Sequence, residues 1–355
     1  MSFTIRDGLT FDDVLLVPQH NSKVKSRGAD VDISVKWGNL HFAHPVIPAN
    51  MKTIIGPEMV FATMASGGLA ILHRFIPIEE QLAIAEDAID HFDNKHFAAS
   101  LGVKPEDLVN AKKFMGIGVK IFCIDIAHGD SEQCIDTIKK LNEINPAVII
   151  IAGNVATGAG ARRLWEAGAN IVKVGVGPGS LCTTRIETGN GVPQLTALID
   201  VAETQQQLIE AYKIKDKELY PGSVTARHFP FISDGGIKNA GDIIKALCFA
   251  DMVMVGNVFA GCEETPGQIM SIDGRTFKEY VGSSTHKTNH IEGVAAIVPT
   301  KGRFKDILTK LLEGLRSGCS YQGVTNLQDL KDNPEFIKIT HAALKESHPH
   351  DVVLR

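Results

Sequence analysis

The chain has 355 residues, 44% hydrophobic and 22% charged, which is the composition of an ordinary soluble globular protein without extensive disorder. Its formal net charge of −5 gives no support to a nucleic-acid-binding surface, which normally shows as a basic excess. No apolar run is long enough to cross a bilayer, and the first residues lack the pattern of a signal peptide. Six cysteines without CxxC spacing indicate reduced thiols and no zinc site. We therefore expect a cytoplasmic protein with neither a nucleic-acid nor a membrane partner.

Eight short apolar segments recur along the chain, each followed by a turn signal and usually by a helical pattern. The predicted strands are Val46–Met51, Leu69–His73, Ala98–Val103, Val119–Ala127, Val148–Val155, Ile171–Val176, Phe231–Gly236 and Met252–Phe259. The predicted helices are Glu58–Ala65, Ile78–His91, Pro105–Met115, Ser131–Glu143, Gly158–Glu166 and Phe304–Leu315. Pro105 suits a first helical turn, and Asp130 and Thr157 are candidate N-caps.

Alternation of strand and helix repeated eight times predicts a parallel (β/α)8 barrel, the TIM barrel, rather than an open sheet. A doubly wound sheet is the alternative, and it requires some of the strands to be reassigned. We predict a single catalytic domain over residues 1–355, with a polar, irregular extension at Glu203–Phe229 and a tail from about 303 to 355 that has few barrel features.

The loop after the sixth predicted strand carries one cysteine, Cys182, among glycines that include Gly175, Gly177 and Gly179. Glycines permit backbone conformations that other residues resist. A thiol displayed on such a loop, at the C-terminal end of a buried strand, is placed for nucleophilic chemistry. The alternative is a small buried hydrophobe, the commoner role of a free cysteine.

Glycine-rich loops also follow the seventh and eighth predicted strands, where barrels of this kind commonly bind phosphate through backbone N–H groups. One such motif alone is most simply a turn, but two on consecutive strands favour a nucleotide monophosphate. Asp234 could accept hydrogen bonds from ribose hydroxyls, and Ser180 and Tyr280 could donate to the phosphate or be merely solvated. The loop residues of this predicted site are Asp234, Gly235, Gly236, Gly256 and Asn257.

A dinucleotide site is less explicit, because GVGPGS is not a Rossmann fingerprint: it opens no helix and lacks the downstream acidic residue. A nicotinamide cofactor would therefore have to lie across the barrel mouth. Arg74 and Asp125, at the ends of the second and fourth predicted strands, could meet there. A simple structural ion pair is the alternative for these two residues.

The stretch from Gly175 to Gln194, GVGPGSLCTTRIETGNGVPQ, closely resembles the active-site loop of the IMP dehydrogenase and GMP reductase family, and matching segments run from about Thr10 to Lys345. The resemblance implies that Cys182 attacks C2 of a purine nucleotide, GMP or IMP. It also implies a homotetramer and a potassium ion held by carbonyls around Gly177, Gly179 and Cys182, with Arg185 nearby.

The same resemblance assigns the remaining site residues. Thr184 and Glu292 would protonate the departing amine. The residues that would bind the nucleotide are Ser180, Asp234, Gly235, Gly236, Gly256, Asn257, Tyr280, Gly282, Ser283 and Ser284. Those that would flank the nicotinamide are Arg74, Asp125, Ile126, Ala127, Val176 and Ser283.

The branch of the family is indicated by a missing segment. Dehydrogenases hydrolyse the cysteine-bound purine with a water activated by an Arg-Tyr pair on a flap. Here only seven residues, Thr285 to Ile291, separate Ser284 from Glu292, and none is arginine or tyrosine. The CBS regulatory modules that most dehydrogenases insert after strand two are also missing, and segments such as HRFIP and IDIAHG look most like bacterial GMP reductases.

The sequence therefore predicts NADPH-dependent reductive deamination of GMP to IMP and ammonia, with the preference for NADPH over NADH left open. Three alternatives remain. An IMP dehydrogenase without CBS modules would share nearly every motif. A flavin-dependent barrel oxidoreductase would not need Cys182. A non-catalytic nucleotide-binding protein would keep its function without that thiol.

Overall fold

The computed structural model describes residues 4–92, 94–215, 229–282 and 293–352. Its centre is a sheet of eight parallel strands, named β1 to β8 here. They are Val46–Pro48, Ala70–Leu72, Phe97–Leu101, Ile121–Asp125, Ile149–Val155, Ile171–Val174, Phe231–Asp234 and Met252–Val255. Strands β2 to β8 are hydrogen-bonded in chain order, and β8 pairs with β1, Val253 lying opposite Val46. Because β1 also packs beside β2, the sheet nearly closes, and the predicted TIM barrel is confirmed.

Eight helices follow these strands around the barrel, and we name them α1 to α8. They are Pro57–Ala65, Ile78–His91, Pro105–Gly116, Glu132–Ile144, Gly158–Glu166, Gln194–Lys215, Ala240–Leu247 and Phe304–Tyr321. Pro105 opens α3 as predicted, and Thr157 caps α5 by accepting a hydrogen bond from the Gly160 N–H at 3.1 Å. The expected cap at Asp130 is wrong. Ser131 caps α4, because the Asp130 carboxylate is instead paired with the guanidinium of Arg163.

The predicted irregular extension at Glu203–Phe229 is also wrong over its first half. Helix α6 continues to Lys215, because Leu198, Val201 and Leu208 recur at helical spacing and are all buried. The rest of that extension, residues 216–228, lies outside the described ranges. At the far end of the chain, α8 packs on α7 and occupies the position of the eighth barrel helix, so barrel structure continues into the predicted tail.

Several shorter strands and helices lie outside the eight-stranded barrel. Val14–Leu16 pairs with Phe336–Lys338, and Val35–Trp37 pairs with Leu40–Phe42. A three-stranded antiparallel sheet is formed by Met270–Ile272, Arg275–Val281 and Ala295–Pro299. The remaining short helices are Phe11–Asp13, Arg27–Asp30, Asn94–His96, Thr184–Thr188, Asp329–Lys331 and His341–Glu346. None of the helices in the described ranges is both long and apolar enough to span a membrane.

The stability of the fold should depend on pH because of His44, a residue next to β1 that is only 1% exposed to solvent. Its Nδ1 accepts from the Val46 N–H at 3.3 Å, and its Nε2 lies 2.9 Å from Ser66 Oγ, so the ring is neutral. Burial lowers the pKa of His44 from 6.5 to about 4. The unfolded chain therefore binds a proton that the folded protein does not, and stability falls as the pH drops from 6.5 towards 4, by about 3 kcal/mol at the lower limit.

Urea unfolding at pH 7 and pH 4 measures this loss. His44→Gln should lose less stability between the two pH values than the wild-type protein, whereas the exposed His350→Gln should match the wild type. Equal pH dependence in His44→Gln and the wild type would contradict the assignment.

Candidate active site

A cavity of about 350 Å³ opens at the C-terminal end of the barrel, where TIM-barrel enzymes place their catalytic residues. Most of the predicted site residues meet in its wall. They are Arg74, Asp125, Ile126, Ala127, Val176, Gly177, Gly179, Ser180, Cys182, Thr184, Asp234, Tyr280 and Gly282. These residues come from loops after β2, β4, β6 and β7 and from the three-stranded sheet.

The other predicted residues are placed differently. Gly235, Gly236, Gly256 and Asn257 do not line the cavity, although Gly256 abuts the Tyr280 hydroxyl: a Cβ on this glycine would lie 3.1 Å from it. Asn257 is exposed, and its carbonyl accepts from Lys301 Nζ at 2.6 Å. Arg185 does not line the cavity, and its side chain packs against Gly177. Ser283, Ser284 and Glu292 fall outside the described residues.

The cysteine loop reaches the cavity because its glycines allow a tight path. Gly175 has a φ of +150°, and a Cβ there would lie 2.0 Å from the carbonyl oxygen of Asp234. Gly177, with a φ of +87°, leaves room for the Arg185 side chain, whose Nη2 donates to the carbonyls of Val176 at 3.3 Å and Val192 at 2.5 Å. Arg185 thereby ties the two ends of the loop together.

Cys182 is the one cysteine of the six that is partly exposed. Its N–H donates to the carbonyl of Gly179 at 3.0 Å, and its Sγ lies 3.2 Å from the Thr184 hydroxyl oxygen. The other five cysteines are buried. Burial raises the pKa of Cys134, Cys262 and Cys319 to about 12, so those thiols stay protonated and inert. The geometry therefore supports Cys182 as the nucleophile of this site.

The most buried charge in the site is Lys173 on β6, to which the sequence analysis assigned no role. Its Nζ lies 3.0 Å from Asp125 Oδ1 and 2.6 Å from Asp234 Oδ2. The alternative interpretation of Arg74 and Asp125 as an ion pair is therefore wrong, although both residues line the cavity as expected. The Asp125 carboxylate binds Lys173, while Arg74 Nη2 lies 3.5 Å from the Asp125 backbone carbonyl and its guanidinium packs on the Phe75 ring at 4.9 Å.

Asn154 at the end of β5 is a second contributor that sequence reasoning left without a role. Its Nδ2 donates to Asp234 Oδ2 at 2.9 Å and to the Gly175 carbonyl at 2.7 Å. Its Oδ1 is buried without a hydrogen-bond partner among the described residues. Asn154 lines the cavity and fixes Asp234 against the start of the cysteine loop.

Two hydroxyl groups face the cavity together. Ser180 Oγ lies 3.2 Å from the Tyr280 hydroxyl, although the residues are 100 positions apart in sequence. Tyr280 is buried, and burial raises its pKa, so its hydroxyl stays a donor at neutral pH. The strand that carries it is fixed to the barrel by Thr53, whose Oγ1 accepts from the Val281 N–H at 3.1 Å.

The residues that flank segment 283–292 are bonded to one another and to the cysteine loop. The Gly282 N–H donates to the Val294 carbonyl at 3.3 Å, and the Val294 N–H donates to the Leu181 carbonyl at 3.3 Å. The Gly293 N–H donates to Thr183 Oγ1 at 2.9 Å. Gly293 therefore contacts the residue that follows Cys182, and Gly282 lines the same cavity as Cys182.

Comparison with known proteins identifies the family of this chain. The family model for the IMP dehydrogenase / GMP reductase domain matches residues 8–350. An inosine-5'-monophosphate dehydrogenase of Borreliella burgdorferi is 32% identical over 98% of both chains, and a GMP reductase of Ligilactobacillus salivarius is 36% identical over 95% of this chain and 96% of its own. The inosine-5'-monophosphate dehydrogenase of Aquifex aeolicus is 40% identical over 74% of this chain but 54% of its own. With its barrel-mouth cysteine and near-complete match, the chain belongs to the IMP dehydrogenase / GMP reductase family of oxidoreductases.

Proposed function

We propose that the protein is a GMP reductase, which deaminates GMP to IMP and ammonia while oxidising NADPH. The observation that carries the proposal is the ten-residue segment 283–292, SSTHKTNHIE, between Gly282 and Gly293. It contains neither the arginine nor the tyrosine with which dehydrogenases activate the hydrolytic water. The GMP reductase of Ligilactobacillus salivarius is among the relatives matched along nearly their whole length, as is the dehydrogenase of Borreliella burgdorferi.

The reaction begins at Cys182. Its sulfur forms a bond to C2 of the guanine ring, and the bond from C2 to the exocyclic amine breaks. The amine needs a proton to leave as ammonia, and the Thr184 hydroxyl, 3.2 Å from the sulfur, is placed to deliver it with Glu292 as the proton source. One GMP, one NADPH and two protons give one IMP, one NADP and one ammonium ion.

The described residues that are expected to flank the nicotinamide share the cavity with Cys182; they are Arg74, Asp125, Ile126, Ala127 and Val176. Arg74 lines this part of the cavity, and its Nε is buried and makes no hydrogen bond within the described ranges. When bound, the nicotinamide supplies the hydride that replaces sulfur at C2. Ile126, Ala127 and Val176 would then keep water away from the cysteine-bound purine, which favours reduction over hydrolysis.

The nucleotide would contact the part of the cavity lining that carries Ser180, Tyr280 and Asp234. Ser180 and Tyr280 present two hydroxyl donors for a phosphate, and the Asp234 carboxylate is an acceptor for ribose hydroxyls. Lys173 and Asn154 both bond to Asp234 Oδ2, and a carboxylate has about four acceptor positions, which leaves capacity for a ligand.

A potassium ion suits the cysteine loop better than a divalent metal. No cluster of three His, Cys, Asp or Glu side chains that could hold a metal occurs in the described part of the chain. Potassium is bound by backbone carbonyls, which Gly177, Gly179 and Cys182 supply on one loop, and the Gly179 carbonyl keeps a lone pair beyond its bond to the Cys182 N–H. Assembly as a homotetramer and a cytoplasmic location belong to the same proposal.

A paired assay in potassium buffer tests the branch. The purified protein is given GMP with NADPH, GMP with NADH, and IMP with NAD, while nicotinamide absorbance and the purine products are followed. We expect GMP-dependent oxidation of NADPH with IMP and ammonia formed. Formation of NADH and XMP from IMP, at a rate above that of GMP reduction, would show that another residue activates water and would overturn the proposal in favour of a dehydrogenase.

A further inference from the structure

We infer that Lys173 is a positioning residue that holds Asp125 and Asp234 with one buried ammonium group, and so couples the nicotinamide and ribose sides of the cavity. The names of the two sides rest on the proposed function. The contact itself does not, because it is formed entirely by residues of the barrel.

The strand register explains how one lysine reaches both acids. Asp125 on β4 lies opposite Gly153 on β5, and Gly153 lies opposite Lys173 on β6. A Cβ on Gly153 would lie 2.8 Å from the Cβ of Lys173 and 2.5 Å from its carbonyl oxygen. Because Gly153 has no side chain, the lysine can extend across β5 to Asp125 while contacting Asp234 on the neighbouring β7.

The exposure of the three groups shows which of them serves ligands. The side chain of Lys173 is 3% exposed, whereas those of Asp125 and Asp234 are 19% and 18% exposed. The ammonium therefore bonds to the buried side of the two carboxylates, and their exposed parts remain available to a ligand in the cavity. An isolated buried ammonium would be strongly destabilising, and two carboxylates compensate for that cost. Lys173 is thus kept charged by the groups that it positions.

Among the described residues, Lys173 is the single cation that forms a salt bridge with Asp125 or Asp234. Burial opposes the charge on Lys173, but the carboxylates of Asp125 and Asp234 outweigh that effect and raise its pKa. Cys123, the other titratable group beside it, is a neutral thiol because burial raises its pKa. In the part of the chain that the structure describes, no salt bridge joins another cation to either aspartate, and the hydrogen bond from Arg74 to Asp125 goes to its backbone carbonyl rather than to its carboxylate.

Removal of the ammonium has a specific consequence. In Lys173→Met the carboxylates of Asp125 and Asp234, which both lie within 3.0 Å of the same ammonium in the wild type, lose their shared cation, and neighbouring like charges favour uptake of one proton. We expect the acid transition of the aspartate pair in the ligand-free variant to rise by about one pH unit or more relative to the wild type. Titration by carbon-13 NMR of the aspartate carboxylates measures it without any ligand or turnover.

Nucleotide affinity provides the second measurement. Calorimetry with GMP and with IMP should show Lys173→Met binding about tenfold or more weakly at pH 5, with part of the loss recovered at pH 7.5 once the aspartate pair has released its extra proton. Adding Asp125→Asn to that variant removes the like charge and should restore the wild-type pH dependence of GMP binding. This charge-compensated variant also covers the case in which the single variant does not fold.

Lys278→Met is the matched control. Lys278 is also buried, but among the described residues its ammonium donates to three backbone carbonyls, those of Cys262, Glu263 and Thr265, and to no carboxylate. Loss of packing alone would affect stability in both variants and leave the pH dependence of GMP binding unchanged in both. That result, or an unshifted aspartate titration in Lys173→Met, would overturn the inference. Wild-type protein that binds neither GMP nor IMP would instead overturn the proposed function.

Discussion

Cys182→Ala should abolish GMP reduction and leave GMP binding intact. The sulfur is the atom that bonds to C2, and no other cysteine is partly exposed, so no second thiol can replace it. We expect the rate to fall by at least roughly a thousandfold, the scale seen when a covalent nucleophile is removed. The GMP affinity should change little, because the hydroxyls of Ser180 and Tyr280 and the carboxylate of Asp234 remain in place. Steady-state NADPH oxidation and calorimetry with GMP measure the two quantities.

Cys319→Ala is the matched control for this variant. Cys319 lies on α8, away from the cavity, and burial raises its pKa to about 12. Its replacement should lower stability through a small cavity and leave turnover unchanged. Alkylation of the native protein, followed by mass spectrometry, should label Cys182 first. Substantial activity in Cys182→Ala would contradict a covalent route and favour a barrel enzyme that needs no thiol.

The barrel could be predicted from the sequence because buried parallel strands are continuous apolar runs and the helices between them carry an apolar stripe. The predicted ends of the strands were less accurate than the predicted strands themselves. The prediction extended the last strand to Phe259, but the ladder ends at Val255, just before Gly256. Apolar residues continue past the last hydrogen-bonded pair here because loops at the barrel mouth are buried as well, so hydrophobicity alone does not mark where a strand stops.

The site could be predicted in part for a related reason. Residues that follow strand ends must meet at one edge of a parallel barrel, which brings Arg74, Asp125, Cys182 and Asp234 together in the cavity. Their pairing could not be deduced, because it depends on how neighbouring strands are registered. Lys173 carried a signal that was available in the sequence: it is a charge within a buried apolar strand, and such a charge requires partners.

Thr184→Val should slow GMP reduction by about two to four orders of magnitude, the contribution typical of a positioned general acid. Valine keeps the shape of threonine but removes the hydroxyl that lies 3.2 Å from Cys182 Sγ. The amine then lacks its proton donor and leaves slowly. Thr188→Val is the matched control: Thr188 lies in the same short helix, is exposed, and donates only to the Thr184 carbonyl, at 2.7 Å. Its rate should stay near that of the wild type.

A change of leaving group separates proton delivery from attack by sulfur. A purine nucleotide with chloride in place of the 2-amino group forms the same bond to Cys182, but chloride departs without a proton. Thr184→Val should therefore be labelled by this nucleotide at nearly the wild-type rate while its reduction of GMP stays slow, which mass spectrometry and the NADPH assay compare directly. Equal slowing of both reactions would place Thr184 in the activation of the thiol instead, since labelling requires the sulfur to attack but requires no acid.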